Sequence, residues 1–211
     1  MRSPIFLVWL VLAASPARPL AAQTPTVKYI PAQTTAAILP VVNQSKGGWQ
    51  GLKDRQTEKA QTEMARRFAL SGFLLAENAL VANALGDQNL KTGDLTAYTP
   101  TVLAEIGRAS DADIVAFLVI TDSHQGFRHG LVQVLGQQRE GEAKVRLWLV
   151  DTRTGTTLVD GLTASGKARG NPLANTLLHG IGQGGSDYVI RAVGDAVGQT
   201  LRPFLQAYPV K

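Results

Sequence analysis

Asp111-Ala112-Asp113-Ile114-Val115-Ala116-Phe117-Leu118-Val119-Ile120 is the stretch that decides the fold. Side chains of a strand alternate between its two faces. From Ile114 to Ile120 both alternating sets are apolar, so the strand has to be covered on both sides. That is the pattern of a central strand in an α/β sheet. Asp113 reads as the turn residue between a preceding helix and this strand.

Upstream, Thr99-Pro100 opens that helix. Thr99 is placed to act as N-cap, and Pro100 sits at the first helical position, where its missing N–H is no loss. Val102, Leu103 and Ile106 form its apolar face. Further upstream, Asp54 to Leu70 carries Ala60, Met64 and Phe68 every four residues, with charges on the other faces, and Gly72 stops it. The strand before it is Ala36 to Val42, in which Pro40 cannot donate a ladder hydrogen bond and belongs near an edge or a strand end. Phe73 to Ala76 is a short strand, and Leu80 to Leu85 a turn of helix.

Downstream, Thr121 to Ala143 is polar around a short apolar stretch, Leu131 to Leu135. Lys144 to Asp151 then alternates Val145, Leu147 and Leu149 against Lys144, Arg146 and Trp148. Thr152 to Gly155 is a hairpin turn, with Gly155 available for positive φ. Thr156 to Ser165 returns, Gly166 to Gly185 is a long loop, and Ser186 caps a final helix built on Ile190, Val193, Val197, Leu201 and Phe204. Pro209 ends that helix. The expected order is β-α-β-α-β-β-β-α: one α/β domain, a mixed sheet with helices packed on it, parallel where helices intervene and antiparallel in the late hairpin.

The first 22 residues have the form of a secretory signal. Arg2 is the positive charge, Ile5 to Ala14 the apolar run, and Pro16 and Pro19 break the stretch before small residues. Cleavage is expected between Ala22 and Gln23, with Ala17 as the second choice. The segment is too short for the roughly 20 apolar residues of a span. Residues 23–35 form a lead-in and 36–211 the domain. Losing Arg2 and Arg18 leaves 19 basic and 16 acidic residues, a net charge of +3. Nucleic acid is not an expected partner, because no basic stripe is interleaved with aromatics. Arg66-Arg67 and Lys167-Ala168-Arg169 read as solvated surface. Cysteine is absent, which excludes thiol catalysis, zinc–thiolate sites and a lipid anchor on a cysteine of this chain.

Four constellations could carry chemistry. Gly180-Ile181-Gly182-Gln183-Gly184-Gly185 spells G-x-G-x-x-G, but no strand precedes it and no βαβ unit follows, so a loop and cap is preferred to a dinucleotide site and no cofactor is expected. Asp122, His124 and His129 lie close together after the central strand and are the candidate metal ligands; polar loop residues are the plainer reading and no metal is assigned. Asp111 and Asp113 flank the strand entry and could share acid–base work. The serines form no G-x-S-x-G elbow. No catalytic residue is therefore assigned. Arg146 and Trp148 either make an exposed basic–aromatic patch for a partner or leave Trp148 packed under the second helix layer.

Three segments together resemble one superfamily. Ile38-Leu39-Pro40-Val41-Val42-Asn43 is similar to its opening strand. Leu103 to Val115, with Gly107, Asp111 and Asp113, is similar to its helix-to-strand passage. Val145-Arg146-Leu147-Trp148-Leu149-Val150-Asp151-Thr152-Arg153-Thr154-Gly155 is similar to its hairpin. The superfamily groups the curli-secretion channel subunit CsgG, the N-terminal domain of TolB and the outer-membrane activators of peptidoglycan synthases. The resemblance implies an anticodon-binding-domain-like fold, no enzymatic activity, and a periplasmic, secreted or outer-membrane-peripheral protein. Its work would be cell-envelope assembly or transport through contacts with envelope proteins or with itself. CsgG is a lipoprotein that inserts hairpins to form a pore. The missing cysteine and the poor alternation of Thr121–Ala143 and Gly166–Gly185 depart from that, so neither a lipid anchor nor a pore is expected. The alternatives are a subunit of an outer-membrane secretion ring, and a small secreted hydrolase using Asp111, Asp113 or Asp122.

Overall fold

The computed structural model describes residues 29–88, 90, 94–128, 138–169 and 186–208. The elements in chain order are β1 (Thr35–Ile38), β2 (Val42–Asn43), α1 (Gln50–Leu70), β3 (Leu74–Leu75), α2 (Asn78–Asp87), α3 (Pro100–Ala109), β4 (Ile114–Arg128), β5 (Gln138–Asp151), β6 (Thr157–Arg169) and α4 (Ser186–Leu205). The strands form one six-stranded mixed sheet in the order β3-β1-β4-β5-β6, with β2 also on β4. β1, β2 and β3 pair in parallel, as the intervening helices require, and β4, β5 and β6 form an antiparallel ribbon.

Ile114 to Ile120 is the central strand the sequence describes. Every residue in it is buried, and its alternate side chains enter two different cores. On one face Ile114, Ala116, Leu118 and Ile120 meet Met64 and Phe68 of α1 and Val193, Val197 and Leu201 of α4. On the other, Val115, Phe117 and Val119 meet Val81 of α2 and Leu103 and Ile106 of α3. The result is a helix–sheet–helix sandwich.

Several boundaries differ from the sequence expectation, each for a local reason. The first strand is broken at Pro40, which has no N–H to offer. The open edge beside the break is closed by Gln61 of α1, whose amide donates to the Ile38 carbonyl at 3.2 Å and accepts from the Val41 N–H at 3.2 Å. The turn at Leu80–Leu85 is a full helix, α2, so a further helix stands between β3 and α3. Thr99 caps α3 as expected, accepting from the Val102 N–H at 3.3 Å.

The largest correction concerns Thr121–Ala143 and the start of Gly166–Gly185. These are not loops at their described ends: β4 runs on to Arg128, β5 begins at Gln138 and β6 reaches Arg169. The alternation is concealed because the register slips between Ile120 and Asp122, which leaves Thr121 as an extra residue and reverses the inward parity beyond it. Glycine also stands where an inward side chain would be looked for. A Cβ on Gly141 would lie 2.3 Å from the backbone of Tyr188, and one on Gly166 would lie 1.9 Å from the Ala192 carbonyl oxygen. α4 therefore lies on the ribbon backbone itself. The expectations for Leu131–Leu135, Gly180–Gly185, Pro209 and the signal segment with its Ala22–Gln23 cleavage point lie outside the described residues.

Candidate functional site

The antiparallel ribbon has one face under α4 and one face that, among the described residues, no helix covers along its far half. β5 sets this up. Its inward residues Ala143, Val145, Leu147 and Leu149 are buried, while Lys144 and Arg146 are exposed and Trp148 is half-buried. Cross-strand partners in an antiparallel pair share a face. Asp122 pairs with Lys144 and Lys144 with Ser165; His124 pairs with Glu142 and Glu142 with Lys167. The bulge at Thr121 thus carries Asp122 and His124 onto the face that holds Arg146 and Trp148. Two groups of candidates that the sequence keeps apart become one surface.

Its polar half is an ion-pair ladder. His124 stands between two carboxylates, Nδ1 3.8 Å from Asp122 Oδ2 and Nε2 3.3 Å from Glu142 Oε2. Glu142 accepts from Lys167 Nζ at 2.5 Å, and Glu140 accepts from Arg169 Nε at 2.9 Å. The Lys167 ammonium holds the Glu142 carboxyl below its ordinary range, with smaller help from nearby His124 and Lys144. These groups are solvated, so their pairing fixes side-chain positions more than it stabilises the fold.

The other half is aromatic. Tyr98 stacks on Phe117 with centroids 4.3 Å apart, Phe117 lies 5.7 Å from Trp148, and the Arg146 guanidinium sits 4.8 Å over Trp148. Arg146 Nε also donates to the Gly161 carbonyl at 3.1 Å. Gly161 occupies a bulge of β6 at φ +58°, and a Cβ there would come within 2.5 Å of Arg146 Nε. Trp148 packs against the core under α2 and α3 and also carries the Arg146 guanidinium. Such a cation–ring contact contributes roughly 0.5–1 kcal/mol at an exposed site.

The remaining candidates have structural surroundings. The Asp113 carboxylate accepts from the Thr35 N–H at 3.0 Å, and its own N–H donates to the Thr35 carbonyl, which joins β1 to β4. Asp111 is an exposed turn residue at φ 54°. Asp113 is thus engaged with the β1 backbone while Asp111 faces solvent. His129 lies outside the described residues, and among those described no group of three or more histidines, aspartates and glutamates is placed to hold a metal. No described helix is long and apolar enough to cross a membrane.

One buried polar site escapes the sequence. Asp151, at the end of β5, accepts from the Tyr29 hydroxyl at 2.5 Å and from both the N–H and the hydroxyl of Thr154 at 2.8 Å. Burial alone would raise the Asp151 carboxyl; these donors and the nearby Arg153 outweigh it and hold the group below its ordinary range. Burial first, then the hydrogen bond to Asp151 and the Asp151 charge, push the Tyr29 hydroxyl far up. The Asp151–Thr154 spacing is a local turn signal. Tyr29, from the lead-in, has no signal in sequence that ties it to Asp151.

No family model matches the chain, and no curated protein matches it. Among solved structures it is similar to lipoprotein GNA1162 from Neisseria meningitidis, at 16% identity over 79% of this chain and 99% of that one, with a TM-score of 0.44. It is also similar to the LpoB C-terminal domain from Escherichia coli, at 17% identity over 71% and 90%, TM-score 0.40. A PelC dodecamer from Paraburkholderia phytofirmans gives 14% identity over 86% and 93%, TM-score 0.41. At these values the similarity assigns neither a family nor a function. GNA1162 is described as a lipoprotein, so the expectation of no lipid anchor gains nothing from it.

Proposed function

We propose that the chain is an exported, non-enzymatic protein of the cell envelope, related to the CsgG and TolB N-terminal group. It acts in envelope assembly or transport by binding other envelope proteins. The observation that carries this reading is the face of β4–β6 opposite α4, where Arg146 on Trp148 stands beside the His124–Glu142–Lys167 ladder. Aromatic residues and arginine are the side chains enriched where proteins bind one another. α4 packs on the opposite side of the same strands. The signal-like first 22 residues support the exported compartment, and the three sequence segments support the kinship. Polar side chains engaged with one another or with backbone, as Asp113 is, favour binding over hydrolysis.

The test places a photo-crosslinking side chain at Lys144 or Arg146 in growing cells, with Glu58 on α1 as the control position. The expected result is a discrete adduct to an envelope protein from the face positions and none from position 58. Equal labelling at all three positions, or adducts only with cytoplasmic proteins, overturns the reading.

A further inference from the structure

Away from the open face, the end of the molecule where α1 and α4 finish has a different character. Arg66, Arg67 and Arg202 line an open groove of about 470 Å³ with Leu70, and no acidic residue among those described lines it. Glu63 lies beneath and takes two of the three guanidiniums, Arg66 at 2.6 Å and Arg67 at 2.8 Å. Arg202 has no acidic partner among the described residues. Basic groups near helix C-termini are favoured by the helix dipole, and that accounts for Arg67 and Arg202 taken singly. It does not account for the aliphatic side chains beside them. Leu70 is 64% exposed, Ile30 59% and Leu74 51%. They belong to one corner: a Cβ on Gly72, two residues past Leu70, would lie 3.5 Å from Pro31, the neighbour of Ile30. The Leu74 N–H donates to Thr34 at 3.0 Å.

We propose that this corner is a contact surface for an anionic lipid bilayer. Exposed aliphatic side chains bordered by guanidiniums match an apolar interior under a negative headgroup layer. A second copy of the chain fits poorly, because a two-fold contact would set the arginine groove against itself. The proposal rests on the export reading above but uses a different surface, so its failure leaves the cross-linking result at Lys144 and Arg146 standing.

The experiment uses the chain from Gln23 onward, which keeps every described residue, and vesicles of phosphatidylcholine with or without phosphatidylglycerol. The expected result is co-sedimentation with the anionic vesicles alone, weakening as salt rises. Arg66→Gln and Arg202→Gln should each weaken it about five-fold, the effect of one cationic side chain near a charged surface. Leu70→Gln should weaken it at every salt concentration. Trp49→Gln, at the opposite end of α1 and equally exposed at 64%, should leave it unchanged. Circular dichroism confirms that each variant is folded. Equal binding to neutral and anionic vesicles overturns the proposal, as does full binding by the folded arginine variants. Capture by a soluble acidic polypeptide but not by vesicles, or a dimer that Leu74→Gln dissolves, overturns it in favour of a protein occupant.

Discussion

Removing the Tyr29 hydroxyl tests whether the lead-in is part of the folded domain. In Tyr29→Phe the ring keeps its packing against Phe204 and Tyr208, whose centroids lie 6.4 and 5.8 Å away. What is lost is the 2.5 Å hydrogen bond to Asp151, whose other two donors come from Thr154. A hydrogen bond to a charged, buried acceptor contributes about 1.5–3 kcal/mol. For a domain of this size that corresponds to a fall in Tm of roughly 3–12 °C. The folded Asp151 carboxyl is held below its ordinary value. Its contribution is therefore complete above the unfolded value of about 3.9 and is lost as pH falls through the folded one. The Tyr29 hydroxyl is shifted upward, so its contribution is complete below about 10 and is lost as pH rises through the folded value. The stability gap between native and variant should thus be flat between about pH 5 and 9 and narrow on both sides. Urea unfolding followed from pH 2 to 9 measures the plateau and the acid limb. Asp151→Asn, whose amide can still accept from Thr154, should flatten the acid limb. A gap under about 0.5 kcal/mol at pH 7, far below the charged-acceptor range, or one that widens toward pH 2, refutes the reasoning.

Other substitutions test the packing that positions the open face. Gly166→Val places a side chain into the backbone of α4, and unfolding curves should show a loss of about 3 kcal/mol or more. Gly86→Ala is its counterpart: a Cβ there meets nothing within 4 Å, and the exposed helical site should gain about 0.5–1 kcal/mol. Thr99→Ala removes the cap of α3 and should cost about 1 kcal/mol by the same assay; no loss would mean that the 3.3 Å bond is idle in solution.

The parts legible in the sequence are those with a local period. Ile114 to Ile120 announces a doubly covered strand because both of its parities are apolar. Met64 and Phe68 announce an inward helix face by their spacing, and Thr99-Pro100 marks a helix start. The far half of the ribbon is illegible for a physical reason. One extra residue at Thr121 reverses the parity, Gly141 and Gly166 stand where large inward residues would be sought, and the outward positions are charged. Charged alternation without an apolar partner looks like a loop. The candidate surface was half legible in the same sense. Arg146 and Trp148 are visible as the outer set of β5, but their union with His124 depends on that bulge. The Tyr29–Asp151 contact joins residues 122 positions apart, and no periodicity spans that.

The edges of the sheet indicate how a partner would have to approach. A protein can offer a partner either an unpaired strand edge or a face of side chains. β6 ends the sheet on one side, but it is kinked by the bulge at Gly161 and carries Asp160, Lys167 and Arg169, the features by which edge strands resist pairing. β3 ends it on the other side and is two residues long, Leu74–Leu75. At the Pro40 break the backbone is already taken by Gln61. Strand addition is therefore poorly served along the described sheet, and recognition falls to side chains. On β5 the alternation separates those side chains from the core: Val145, Leu147 and Leu149 hold the fold, while Lys144 is exposed and Arg146 lies on Trp148 and the Gly161 carbonyl. Changing Lys144 should then alter binding while leaving stability within about 0.5 kcal/mol, as for surface positions generally, whereas changing Arg146 should alter binding and also remove the roughly 0.5–1 kcal/mol of its contact with Trp148. Trp148 belongs to both sets, so Trp148→Ala should weaken binding and stability together.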